Sequence, residues 1–275
     1  MTLVLLTGAT RGIGRAAAIE LARGGAELAL VGRDPERVRA VAAEARATAG
    51  GAEVHEHVAD LTLMAEVRSL AAEIREWHAH IDVLANNAGA VFATRQETRE
   101  GFERTFALNH LAPFLLTNLL LDRLGGGRVV TTSSDAHRGG HLDLDDLQSA
   151  SKYSVRTYGT TKLCNILFTR ELARRNPQLH ANCFHPGVVR TGFGKNETGL
   201  IKLALVLGGP FLRSPERGAR SLVWLARSDE AASLTGTYVV DEKVRTPTAQ
   251  ARDDGLAARL WARSAELVNL PSAAV

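Results

Sequence analysis

Short runs rich in aliphatic residues alternate along the chain with longer helical stretches. The short runs are Leu3–Thr7, Glu27–Val31, Glu53–Val58, Ile81–Ala85, Arg128–Thr132, Leu179–Phe184 and Gly236–Val240, and they predict seven strands. Between them, Gly12–Arg23, Pro35–Ala49, Leu63–Trp77, Thr157–Arg175, Pro215–Arg227 and Gly255–Val268 predict helices. A long helical region runs from Glu97 to Leu124, with a kink expected at Pro113. A polar loop separates Asp135 from Lys152. Strand–helix–strand repeated in this way predicts a doubly wound α/β fold, a mainly parallel seven-stranded sheet with helices on both faces. No Ser/Gly linker, composition shift or internal repeat divides residues 1–275, so one domain is expected.

Composition narrows the partners. The 275 residues carry 33 basic and 30 acidic side chains, interspersed, for a net charge of +3. Without a basic block or aromatic–basic alternation, nucleic acid is not an expected partner. Cys164 and Cys183 lie far apart with no CxxC, as free thiols in a reducing, cytoplasmic compartment would. The glycine motif follows Met1–Leu6 at once, so no leader or anchor is expected before the fold. Leu200–Leu212, the longest apolar run, is broken by Lys202, glycines and Pro210 and is too short for a membrane span.

Three stretches carry chemistry. The first is Thr7-Gly8-Ala9-Thr10-Arg11-Gly12-Ile13-Gly14, between a strand and a helix. Its glycines permit a tight turn and close backbone approach, and the helix N-terminus offers free N–H groups to a phosphate. The second is the end of the second strand, Gly32-Arg33-Asp34-Pro35. An acid there would accept from a ribose 2′-hydroxyl, but Gly32 holds that place. Arg33 and Arg11 could instead hold a 2′-phosphate, so NADP is expected over NAD. Asp34 before Pro35 reads equally as a helix N-cap. Asp60-Leu61 could meet an adenine amino group, or cap the next helix. The third is Tyr158-Gly159-Thr160-Thr161-Lys162. Four residues apart on a helix, phenol and ammonium share one face, and the cation is expected to lower the phenol's pKa toward neutral. Tyr153 has Thr157 at that spacing and makes no such pair. His55/His57 and His78/His80 invite a metal reading, but no third ligand of suitable spacing accompanies them, so no metal is expected. His137 and His141 could reach a substrate or simply make a polar loop, and His185 before Pro186 reads as a wall of the site.

These motifs, in this order, resemble those of the short-chain dehydrogenase/reductase family over essentially the whole chain. Asn86-Asn87-Ala88-Gly89 matches its motif after the fourth strand, and Asn109 lies in the long helix where the family places an asparagine. Ser134 ends Val129-Val130-Thr131-Thr132-Ser133-Ser134, with Ser133 an adjacent rival, and Pro186-Gly187 followed by Val189 and Thr191 matches the motif after the sixth strand. Leu163–Phe168, His185–Val189, Tyr238–Asp241 and Ala258–Trp261 resemble the retinol dehydrogenase-type members. The resemblance implies a Rossmann fold and a nicotinamide cofactor. It implies Ser134, Tyr158, Lys162 and Asn109 as catalytic residues: Ser134 donating to a carbonyl oxygen, Tyr158 exchanging the proton, Lys162 holding the ribose and Asn109 supporting a water chain. Asn109 could also only cap or bend its helix. Gly8, Thr10, Arg11, Gly12, Ile13, Gly14, Arg33, Asp60, Leu61, Asn87, Ala88, Gly89, Tyr158, Lys162, Pro186, Gly187, Val189 and Thr191 become the implied cofactor contacts, with Thr191 equally readable as the start of a loop.

Substrate choice is expected in two places. The insert between Ser134 and Tyr158 brings Asp143, Asp145 and Asp146 near the site mouth. A lid at about 190–214, apolar from Phe193 to Leu212, would cover an apolar ketone, aldehyde or alcohol, although Arg190 and Lys195 could receive an anion. The other readings are an NADP-binding regulator or scaffold without turnover, and a synthase or epimerase that recycles its cofactor. Helices 97–124 and 157–175 could pair copies into a homodimer or homotetramer, as family members often do.

Overall fold

The structure is a computed structural model and describes residues 2–189 and 212–271. The expected lid, with Arg190, Thr191 and Lys195, lies almost wholly outside these residues.

At the centre of the sheet is β1 (Leu3–Thr7), buried along its whole length. It has no polar face because both faces are covered: Leu3 and Leu5 join one core, Val4 and Leu6 the other. β2 (Glu27–Gly32) and β3 (Val54–Val58) lie to one side of β1. β4 (Val83–Asn86), β5 (Arg128–Thr132), β6 (His180–His185), β7 (Tyr238–Val240) and β8 (Lys243–Arg245) lie to the other, giving the order β3-β2-β1-β4-β5-β6-β7-β8. All pairings are parallel except β7 with β8. One face is covered by α1 (Gly12–Arg23), α2 (Pro35–Thr48) and α7 (Pro215–Arg227). The other is covered by α3 (Met64–Trp77), α4 (Arg104–Phe106), α5 (Ala112–Leu119), α6 (Val155–Arg175) and α8 (Asp254–Leu267). The chain turns from one half of the sheet to the other between β1 and β4, so a crevice opens at their carboxyl ends.

Two expectations need correction. The sheet has eight strands rather than seven. Asp241 and Glu242, both at positive φ (51° and 59°), form a two-residue hairpin turn that folds Lys243–Arg245 back on β7. That strand is three residues long and exposed throughout, so it has no apolar alternation to read. The long helical region starts at Arg104, not Glu97. The Glu103 carboxylate caps it, accepting from the N–H groups of Thr105 and Phe106. Its irregularity spreads over a π-helical turn, Ala107–Leu111, where the Ala112 N–H reaches back to the Ala107 carbonyl. Pro113 has no N–H for the Asn109 carbonyl four residues back and crowds it, and the wider turn relieves both problems. The remaining boundaries agree within a few residues. No helix among the described residues is long and apolar enough to cross a membrane.

Candidate active site

The glycine turn is built for backbone contact. Gly8 and Gly12 have φ of 67° and 53°. A Cβ on Gly14 would stand 2.1 Å from the Gly8 carbonyl oxygen, and one on Gly8 would stand 2.8 Å from Ala88 Cα. Asn87 locks this turn to the end of β4. Its side-chain amide donates to the carbonyls of Thr7 (3.0 Å) and Gly8 (3.3 Å), while Thr7 Oγ1 accepts from the N–H groups of Asn87 and Ala88. The start of α1 differs from its neighbours. Side chains of Asp34, Glu103, Ser154, Ser214 and Asp253 cap α2, α4, α6, α7 and α8, and Glu100 takes the first N–H groups of α3. At α1 the N-cap is Arg11, with no side-chain cap. Those N–H groups remain available to an anion, and the cradle fits a dinucleotide pyrophosphate. Ile13 and Val189 converge beside it: a Cβ on Gly218 would lie 2.6 Å from Val189 Cγ2 and 3.2 Å from Ile13 Cγ1.

At the end of β2, Asp34 is committed as the N-cap of α2, accepting from the N–H groups of Glu36 and Arg37. Exposed Arg33 lies 3.7 Å from the Asp60 carboxylate. Asp60 does not cap α3, whose N-cap is Leu63. It closes a local turn instead, accepting from the Thr62 N–H (3.0 Å) and hydroxyl (2.8 Å). The Leu61 side chain is buried in the core, which leaves only its backbone to face a ligand. Gly187, at φ 82°, lies under the Arg213 side chain, which pairs with Asp241.

Tyr158, Lys162, Ser134 and Asn109 come together at the carboxyl ends of β4 and β5. The Ser134 hydroxyl lies beside the Tyr158 phenol. Lys162, 2% exposed, donates from Nζ to the Thr132 carbonyl at 3.0 Å. Asn109 Nδ2 donates to Thr161 Oγ1 (3.1 Å) and the Ala90 carbonyl (2.9 Å), and its Oδ1 accepts from the Ala90 N–H (2.9 Å). A Cβ on Gly89 would lie 3.1 Å from Asn109 Oδ1 and 3.5 Å from Lys162 Nζ, so this glycine lines the same hollow. Strand parity separates the two serines. Buried Ser133 donates to the Lys162 carbonyl (2.8 Å) as a tie to α6, and Ser134 faces Tyr158.

This arrangement can be compared with known proteins. Residues 2–199 match the short chain dehydrogenase family. The chain belongs to that family. A Streptomyces sp. (strain C5) protein named as a daunorubicin C-13 ketoreductase is 46% identical over 267 residues, spanning 96% of this chain and 92% of its own length. Human retinol dehydrogenase 13 is 39% identical over 284 residues, spanning 99% of this chain and 86% of its own. The crystal structure of a Burkholderia cenocepacia short chain dehydrogenase in complex with NADP superposes with a TM-score of 0.71 at 25% identity, covering 87% of this chain and 95% of that one.

In this short-chain dehydrogenase the phenol does not have the lowered pKa that its lysine neighbour suggests. Burial raises Tyr158 to about 12, opposed only in part by the neighbouring Ser134 hydroxyl. The ammonium lies 5.5 Å from the ring centroid and bonds to the Thr132 carbonyl instead. Without a bound cofactor the phenol therefore keeps its proton at neutral pH.

Burial also pulls Lys162 down from 10.5 to about 8. Its folded-state pKa is below its unfolded value. From about pH 8 to 10.5 the unfolded chain holds this proton and the folded chain does not, so its contribution to stability rises with pH. Urea titrations at pH 7.5 and 9.5 should show the stability difference between wild type and Lys162→Met moving in favour of wild type, by on the order of 2 kcal/mol. A constant difference would mean that the amine is solvated in the folded chain.

Several supporting residues were not legible beforehand. Thr161 links Asn109 to α6, a role hinted at only by its place three residues after Tyr158. Gly159 lets the loop after Ser134 rest on α6, since a Cβ there would lie 2.5 Å from the Ala136 carbonyl oxygen. His137 is buried behind the site and does not face substrate. Its Nε2 accepts from the Thr248 N–H (3.4 Å), so Nδ1 carries the proton and donates to the Ser134 carbonyl (2.7 Å). His185 Nδ1 accepts from the Asp135 N–H (3.2 Å), behind the same loop. Asp143 and Asp146 serve the insert itself, accepting from the N–H groups of Asp145, Ala150 and Ser151. Tyr153 anchors the insert by bonding to the Phe92 carbonyl and Thr105.

Proposed function

We propose that this dehydrogenase is NADP(H)-dependent and interconverts apolar ketones or aldehydes with the matching alcohols. The observation that carries the reading is the placement of Ser134 against Tyr158 beside buried Lys162, next to the uncapped start of α1. The names of relatives support the substrate class, one for a ketone reduction and another for retinol, an apolar alcohol. Arg33, with Arg11 exposed at the glycine turn, supports a 2′-phosphate.

When bound, the nicotinamide supplies or accepts the hydride. The chain's own residues do the rest. Gly8, Thr10, Gly12, Ile13 and Gly14 hold the pyrophosphate side. Asn87, Ala88 and Gly89 set the crevice wall, and Pro186, Gly187 and Val189 line the nicotinamide end. Asp60 and the Leu61 backbone face the adenine. Ser134 donates to the substrate oxygen, and Tyr158 gives it the proton in reduction. Lys162 orients the ribose and, as a cation, favours the phenolate once Tyr158 has given its proton. Asn109 holds Thr161 and the Ala90 backbone, and supports a relay of protons toward Lys162.

The reading is tested by following NADPH and NADH consumption against a panel of apolar, carboxylated and phosphorylated carbonyl compounds. Turnover with apolar members and NADPH is expected. NADPH binding without any turnover would favour a regulatory role instead. The two serines give a second test. Ser134→Ala should lower kcat by ~10²–10³-fold, the usual cost of a lost oxygen-polarising donor. Ser133→Ala should keep kcat while costing about 1 kcal/mol of stability, for one buried hydrogen bond. A reversed pattern would reassign the donor.

A further inference from the structure

The histidines at the other end of the sheet do not stay in their sequence pairs. Pairing of β2 with β3 sets Ala29 opposite His55. The period of two then places Glu27 on the same face as Ala29, diagonal to His55 and under α3. His78 is the C-cap of α3 and descends onto this spot. The fold thus supplies Glu27, the third ligand that the sequence spacing does not show. One ligand atom from each of Glu27, His55 and His78 lies within 4.8 Å of the others.

We propose that Glu27, His55 and His78 form a binding site for a Zn²⁺-like divalent transition-metal ion. Two imidazoles and one carboxylate are a donor set that zinc accepts, with an open fourth position. His55 Nε2 and Glu27 Oε1 are 3.1 Å apart, close to the ~3.3 Å that two ligands span around a tetrahedral ion with bonds of about 2.0 Å. His78 Nδ1 is 4.0 Å from the same oxygen and needs to close by only a fraction of that distance. The His78 side chain is 6% exposed, and Nδ1 is the ring nitrogen turned toward Glu27. The C-terminus of α3 adds the negative end of its dipole at His78. Glu53 Oε2, exposed and 3.4 Å from His55 Nε2, can fill the fourth position. Behind the site His57 is held by Glu73 at 2.7 Å.

The site lies at the amino ends of β2 and β3, whereas the dehydrogenase site lies at the carboxyl ends of the strands. It ties the edge strand to α3 and takes no part in turnover.

Calorimetric titration of the metal-stripped full chain with Zn²⁺ alone should show one equivalent bound and a raised Tm. His55→Ala and Glu27→Gln should each weaken binding roughly tenfold or more. His80→Ala, an exposed neighbour paired with Asp82 at 3.3 Å, should leave it unchanged. Trp77 lies 6.2 Å from His55, so Cu²⁺ should quench its fluorescence in wild type and not in His55→Ala. Turnover of NADPH should be the same in wild type and His55→Ala. Absence of stoichiometric binding, or binding that survives both His55→Ala and Glu27→Gln, overturns the proposal. Because His55 and Glu27 are partly exposed, both variants should fold, and circular dichroism checks this.

Discussion

Tyr158→Phe is expected to lower kcat by ~10²–10⁴-fold, the range for a lost general acid. NADPH affinity should stay within about twofold, because only the reacting hydroxyl is removed. The ring keeps its volume and its packing. Lys162 is held by the Thr132 carbonyl at 3.0 Å, independently of the phenol. Ser134 Oγ still accepts from the Ala136 N–H at 3.1 Å, so the neighbouring loop keeps its cap. Single-turnover NADPH oxidation gives the rate, and energy transfer from tryptophan to bound NADPH gives the affinity. Substantial remaining turnover would remove Tyr158 as the proton donor. Parallel loss of NADPH binding would show that the phenol has a structural role.

Arg33→Ala is expected to weaken NADPH by ~10–100-fold, equivalent to the ~1.5–3 kcal/mol of a charge-assisted contact. NADH should change by less than about threefold, since it lacks the phosphate. The packing around Gly32 supports this expectation. A Cβ there would stand 2.4 Å from Thr10 Cγ2 and 2.7 Å from Val38 Cγ2. A side chain there would force Thr10 and Val38 to shift, which disfavours an acid that would select NAD at this position. Arg33 meets Asp60 only at 3.7 Å and in the open, where an ion pair contributes little and the guanidinium can turn to a better partner. Kd values for the two cofactors, measured side by side, decide the matter. Equal loss for both would sink the NADP preference.

Much of the site was readable because its chemistry follows short-range spacing. Tyr158 and Lys162 share a helix face, and the glycines mark a turn between a strand and a helix. Other features depended on contacts distant in sequence. Glu27, His55 and His78 meet only through the register of two strands and the end of a helix. Thr161 is unremarkable until Asn109 arrives across the fold. β8 was hidden because Lys243-Val244-Arg245 is exposed on a sheet edge and buries nothing. The start of the helix at Arg104 was hidden because Glu97–Phe102 is polar enough for either helix or loop. The phenol's raised pKa was missed for a different reason: proximity of the lysine in sequence says nothing about how much water each group loses.

The close contact of the loop after Ser134 with α6 has a practical consequence for redesign. A Cβ on Gly140 would meet Gly159 at 2.6 Å, so the backbones touch there. Immediately afterwards, Thr160 Oγ1 both accepts from the His141 N–H and donates to its carbonyl. At the far end of the insert, Ser154 starts α6 with a capping box shared with Thr157. The insert thus hangs between two fixed posts, with Leu142 and Leu147 seated in the core. The stretch between the posts can be treated as an exchangeable cassette. Segments grafted between His141 and Ser154, with those two apolar seats, Gln148 and the Tyr153 anchor retained, would vary the exposed part of the insert while Ser134 and Tyr158 stay in register.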